Sequence, residues 1–116
     1  MITIQDVRNE INKDPVYWKQ YIFSFVDDFR YYKKFSQVSD YIPAGDRYDY
    51  LLASITEYLC DELELPHPKW TDNIGRLESP WFLSELKSGK ILGLVESPAS
   101  FRRRDIFVGK DFLFRV

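Results

Sequence analysis

Arg102-Arg103-Arg104 is the group in this sequence best suited, by residue type and spacing, to chemistry with a partner. A guanidinium offers planar, bidentate donors that match phosphate or carboxylate. The triplet belongs to the most distinctive stretch of the chain, Ser97-Pro-Ala-Ser-Phe-Arg-Arg-Arg-Asp-Ile-Phe-Val108. A structural use competes with recognition. Near a helix C-terminus cations are favoured in any case, and one arginine can pair internally while another meets solvent. The structural use is the preferred reading. Lys110 extends the basic patch, and the aromatic residues Trp70, Trp81, Phe112 and Phe114 flank it. Trp70 and Trp81 are read first as lids on the core; an exposed tryptophan would be an interface anchor.

Other chemistry finds little support. The single histidine, His67, stands between Pro66 and Pro68. A zinc site needs about four ligands, usually Cys and His, and the chain has one of each. No nucleophile elbow, phosphate loop, dinucleotide fingerprint or calcium loop is present. The acid pairs Asp27-Asp28 and Asp61-Glu62 are adjacent, so on a helix their side chains diverge by about 100°. Cys60 lies in an apolar-periodic segment with no histidine near it in sequence, which points to a buried, inert thiol. No catalytic residue, metal or cofactor is expected.

Composition narrows the class further. The chain has 116 residues, 45% of them hydrophobic and 17% aromatic, too apolar for disorder and long enough for a real core. The start lacks a basic stretch followed by an apolar one, and no apolar run approaches the roughly 20 residues of a membrane span. Cytoplasmic residence, without a membrane partner, is the default expectation. The net charge of -2 divides unevenly, -5 over residues 1–65 and +3 over residues 66–116. Solvated helix faces explain such a split; an anionic partner or acidic protein surface meeting the C-terminal half is the functional reading. The pI near 5.4 argues against direct nucleic-acid binding, which usually goes with a domain pI above about 9.

The elements that must position these residues are helical. Thr3 caps a first helix with Ile4, Val7 and Ile11 on one face. Asp14-Pro15 starts the longest, over about 15–35. Its wide aromatic face (Trp18, Ile22, Phe25, Phe29, Tyr32) predicts a central position with neighbours on two sides. Asp46 caps a third helix with Tyr48, Leu51, Leu52, Ile55, Leu59 and Leu63 in period. Glu57, Asp61, Glu62 and Glu64 crowd its end, and are read as a solvated face touched by nearby cations. Ser79-Pro80 predicts a further helix carrying Trp81, Phe82, Leu83 and Leu86. Ile91–Val95 fits a helical turn or a strand. Ser97-Pro98 predicts a short helix over about 98–104, with Phe101, Ile106 and Phe107 as core anchors and Arg102–Arg104 at its end. Residues 106–108 and 112–114 fit a small hairpin or a terminal turn. The expected fold is a mainly α, single-domain bundle of four to six helices over residues 1–116.

The segments Asp49-Tyr-Leu-Leu-Ala53, Pro66-x-Pro68-x-Trp70, Pro80-Trp81-Phe82 and Glu96–Val108 resemble a family of small, largely uncharacterised bacterial proteins. The resemblance covers about residues 49–116. Members of that family stand alone or follow a helix-turn-helix domain, often beside nucleotidyltransferase-like genes in loci resembling toxin–antitoxin pairs. It implies an antitoxin-like or regulatory binding protein without chemistry of its own, and no catalytic residue carries over. The N-terminal half here shows no helix-turn-helix.

The function expected is therefore a non-enzymatic protein-binding or regulatory role. Its partner-binding residues would be Arg102, Arg103, Arg104, Lys110, Phe112, Phe114, Trp70 and Trp81. The alternatives are a nucleic-acid-binding module using Arg102–Arg104 and Lys110, and an enzyme of unrecognised class. Charge reversal at Arg103 and Arg104 is expected to weaken partner capture without unfolding the domain.

Overall fold

Thr3 opens the first helix, α1 (Ile4–Lys13), as its residue type predicts. The structure, a computed structural model, describes residues 1–83, 97–109 and 112–113. The Thr3 side chain accepts from the Asp6 amide at 3.0 Å, and the Asp6 carboxylate accepts from the Thr3 amide at 2.9 Å. This reciprocal box satisfies two backbone donors that a helix start leaves without partners. Ile4, Val7 and Ile11 are buried on one face, and Arg8 is buried with them.

Helix α2 (Trp18–Tyr32) begins three residues later than expected, because Pro15–Tyr17 forms a single 3-10 turn. Ile22, Phe25, Val26 and Phe29 are its buried face, and Lys33 ends it in the left-handed region at φ 56°. A one-turn 3-10 helix, Phe35–Gln37, leads into an irregular connection.

Helix α3 (Arg47–Glu62) starts at Asp46, whose side chain accepts from the Tyr48 amide at 3.0 Å. Residues 51–57 are all buried. Continuous burial over nearly two turns requires packing on every side, so α3 takes the central place expected of α2. Leu65 donates its amide to the Cys60 carbonyl at 2.8 Å and Glu64 donates to that of Asp61 at 3.3 Å, while Glu64 sits at φ 59°. That is a Schellman stop with glutamate where glycine is usual.

The stretch after Pro80 is not helical. Trp81–Phe82 is a short strand, β1, paired in parallel with Ile106–Phe107, β2, in the register Trp81↔Ile106 and Phe82↔Phe107. The Trp81 amide donates to the Asp105 carbonyl at 2.8 Å and the Leu83 amide to that of Phe107 at 3.1 Å. Cap-plus-proline logic sees only local signals, whereas this pairing supplies non-local partners to a stretch rich in strand formers. Of the alternatives for the segment after β2, the described residues Phe112 and Leu113 lie in a turn rather than a strand. Phe112 closes that turn onto the Gly109 carbonyl at 3.0 Å.

Ser97-Pro98 does precede a helix, the single turn α4 (Ala99–Arg102). Asp105, at φ 62°, redirects the chain into β2. Phe101, Ile106, Val108 and Leu113 join the core formed by α1, α2 and α3. Phe107 is half-buried, stacked on Phe82 at 5.0 Å. The fold is mainly α, a single domain with four α-helices among the described residues and a two-strand sheet. The expectations for Leu86 and for residues 91–95 fall outside the described residues, as do those for Lys110 and Phe114.

Candidate functional site

Two of the molecule's arginines serve its interior. Arg8, on α1, is 1% exposed. Its Nη1 and Nη2 meet the two carboxylate oxygens of Asp46 at 2.7 and 3.1 Å, and Nη1 lies 3.3 Å from Asp49 Oδ1. Asp49 also accepts from the Tyr41 hydroxyl and from the amides of Ala44 at 3.1 Å and Gly45 at 2.8 Å. The cluster ties α1 and the 41–46 connection to the start of α3. Burial disfavours the Arg8 charge, but the Asp46 carboxylate and the Tyr41 hydroxyl together outweigh it and raise the pKa above the usual arginine value. The Tyr41 phenol is pushed up by burial and then by its bond to Asp49.

The second interior cluster contains part of the arginine triplet. Glu57, 1% exposed on α3, accepts from Arg104 Nη1 at 2.5 Å and Nη2 at 3.2 Å, and from Arg103 Nη2. Arg104 is itself buried and also donates to the carbonyls of Ser100 at 3.2 Å and Thr71 at 3.0 Å. Burial alone would raise the Glu57 pKa; the two guanidiniums outweigh it and hold the carboxyl below the usual range. Glu57 is therefore no part of a solvated acidic face. It clamps α4 and the 3-10 turn Lys69–Asn73 to α3.

These contacts revise the expected binding set. Arg104 is a core residue, and reversing its charge would place like charges together in the interior, so the expectation of an intact fold is withdrawn. Arg103 is half-exposed but already held by Glu57. Arg102 is exposed, with no ion pair among the described residues. Trp70 is a lid, its indole N–H donating to the Val38 carbonyl at 2.7 Å and its ring stacked on Tyr41 at 4.4 Å. Phe112 turns inward against Phe23 at 5.8 Å and Phe101 at 6.3 Å. Arg30 Nη1 anchors the neighbouring Leu113 carbonyl at 2.7 Å. The described part of the C-terminal tail is thus docked.

Trp81 is different. It sits half-buried in a surface cluster with Trp18, 6.0 Å away, and Tyr48, 5.7 Å away, while Trp18 and Tyr48 are 5.9 Å apart. Two exposed cations stand on these rings. The Arg47 guanidinium lies 4.2 Å from the Trp81 centroid and the Lys19 ammonium 5.5 Å from that of Trp18. Cations over indole faces gain on the order of 0.5–1 kcal/mol at exposed sites. No carboxylate pairs with Arg47 or Lys19 among the described residues. Clefts of about 520 and 420 Å³ open on either side of Trp81, and Arg47 lines both.

Trp18 and Tyr48 were legible only as positions on helical stripes, and Arg47 and Lys19 only as surface charges. One signal was available: Arg47 directly follows the cap Asp46, at the start of α3, where the helix dipole disfavours cations.

His67 lies among acids. Its Nε2 lies 2.6 Å from Asp61 Oδ1 and its Nδ1 is 3.7 Å from Glu57 Oε2, whose carboxylate is engaged by the two arginines. Cys60 is fully buried, and burial pushes its thiol up to about 12. Among the described residues no three His, Cys, Asp or Glu side chains are grouped to hold a metal, and no helix is long and apolar enough to cross a membrane. No family model, curated protein or solved structure matches this chain.

Proposed function

We propose that this chain is a non-enzymatic, cytoplasmic binding protein of a bacterium, antitoxin-like in capturing a protein partner, and that it binds through the Trp81 face. One observation carries the reading: the half-exposed Trp18–Tyr48–Trp81 cluster bears two exposed cations, Arg47 and Lys19, with no carboxylate partner among the described residues. Tryptophan, tyrosine and arginine are the side chains that most often dominate binding energy at protein interfaces. The interior arginines differ in having their charges matched within the fold.

The test is affinity capture from a bacterial host with the tagged chain, using wild type, Trp81→Ala and Arg102→Glu, each checked for fold by circular dichroism. The captured protein is then purified and its binding measured directly. Trp81→Ala should weaken that binding about tenfold or more, as loss of an anchor does, while Arg102→Glu leaves it nearly unchanged. Equal binding by a folded Trp81→Ala chain, or no saturable partner for the wild type, would overturn the reading.

A further inference from the structure

The two clefts beside Trp81 are open to solvent and consecutive. One is lined by Trp18, Lys19, Phe82 and Leu83, the other by Tyr50, Leu77, Glu78 and Pro80, and Arg47 and Trp81 line both. A shared ridge between two open grooves suits an extended chain that lays side chains into both. We infer that the occupant is an extended acidic segment of the partner protein, with one carboxylate on Arg47, a second on Lys19, and an apolar side chain between them against Trp18 and Trp81. This inference rests on the binding reading above and assigns its ligand class.

Charge is the argument. Arg47 is the first residue of α3 and Lys19 the second of α2, and the first turn of α2 contains no acid. A cation there opposes the helix dipole, so the fold's return from either position is confined to a cation–π contact at an aromatic face and, for Arg47, the nearby Asp46 and Asp49. An anionic ligand does gain, because it meets both cations and the positive end of α2. The flat seat of Arg47 on Trp81 orders a guanidinium that can chelate a carboxylate through two parallel N–H bonds.

A protein segment fits better than a nucleic-acid strand. Lys19, Arg47, Trp18 and Tyr48 belong to residues 1–65, which carry a net charge of -5. A phosphate backbone adds a negative charge at every nucleotide and would meet that field along its whole length. Two carboxylates on a short peptide segment are matched by two cations. Glu78, on the rim of one cleft, adds a repulsive element against longer polyanions.

The probe is a fluorescein-labelled dodecapeptide with two acidic residues, Glu and Asp, among Leu, Phe and Ser, compared by anisotropy with its Gln/Asn counterpart and with a twelve-nucleotide oligothymidylate, at low salt. The acidic peptide should bind about tenfold tighter than the amide peptide, and Arg47→Glu should remove about that advantage. Arg102→Glu should change it less than about twofold. Tighter binding of oligothymidylate would assign the face to single-stranded nucleic acid and overturn the inference. Equal binding of the two peptides, an unaffected Arg47→Glu chain, or no binding of the acidic peptide would also overturn it. If the acidic peptide fails while host-partner capture still depends on Trp81, the acidic ligand falls and the binding face stands.

Discussion

Arg8 and Arg47 each bring a guanidinium to 5.8 Å from the ring of Tyr48, and there the likeness ends. Arg8 is buried against Asp46 and Asp49; Arg47 is exposed, lies over Trp81, and has no carboxylate partner among the described residues. Arg104 belongs with Arg8, since it too is buried and matched, by Glu57. A buried charge must be paired and hydrogen-bonded or the fold loses several kcal/mol. A solvated one carries no such demand, so its placement is free to serve something outside the fold. That difference is the support for placing the proposed binding at the start of α3 rather than at the arginine triplet.

The contrast is broken most severely at Glu57. Glu57→Leu leaves Arg104 buried without a carboxylate, and removal of one partner from such a pair costs about 3–5 kcal/mol. Denaturant titration should show that loss, a large share of a typical domain's stability. A loss under about 1 kcal/mol would mean that the triplet is not structural. Arg8→Met should cost less, about 1–3 kcal/mol, because Asp49 keeps the Tyr41 hydroxyl and the Ala44 and Gly45 amides as donors and Asp46 is partly solvated. A larger loss than that of Glu57→Leu would reverse the ranking of the two interior clusters.

Acid sharpens the same comparison. The folded state depresses the pKa of Glu57 below its ordinary value. The stability it contributes is therefore fully present above the ordinary glutamate pKa of about 4.3 and is lost as pH falls through the lower folded value. Glu57→Gln cannot make that contribution at any pH. The stability gap between wild type and Glu57→Gln should be wide at neutral pH and narrow as the solution is taken to about pH 3. A gap independent of pH would remove the ion pair as its cause.

Local signals in the sequence were read correctly where the physics was local. Thr3 and Asp46 cap their helices because cap and recipient are two or three residues apart. The three-and-four spacing of Ile4, Val7 and Ile11 names a face that is buried; Ser97-Pro98 marks the start of α4, but Pro98 is the cap position and the Ser97 hydroxyl bonds the Val108 backbone instead of capping. The same logic misread Pro80, because the strand partner of Trp81 lies at Ile106. It misjudged which helix is central, since the aromatic face of α2 is wide but residues 51–57 of α3 are buried all round. Glu57 looked like one acid among several, and only the return of α4 beneath it makes it a hub. The aromatic cluster joins residues 18, 48 and 81 from three separate elements, a juxtaposition that no spacing rule announces.

The smallest effect on stability is also the sharpest discriminator. Arg47→Ala removes a cation from the first position of α3, where it opposes the helix dipole, and loses its contacts to the half-buried Trp81 ring at 4.2 Å and, more distantly, the Tyr48 ring at 5.8 Å. The first change stabilises by about 0.3–1 kcal/mol and the second, mostly the indole contact, costs about 0.5–1 kcal/mol, so the net should lie within about 0.7 kcal/mol of zero. The same variant should bind the acidic dodecapeptide about threefold more weakly, because the Lys19 contact remains. Stability near wild type with binding weakened separates a residue placed for a partner from one placed for the fold. If Arg47→Ala instead unfolds at markedly lower denaturant, Arg47 is a structural arginine like Arg8, and the distinction between the two sides of Tyr48 is gone.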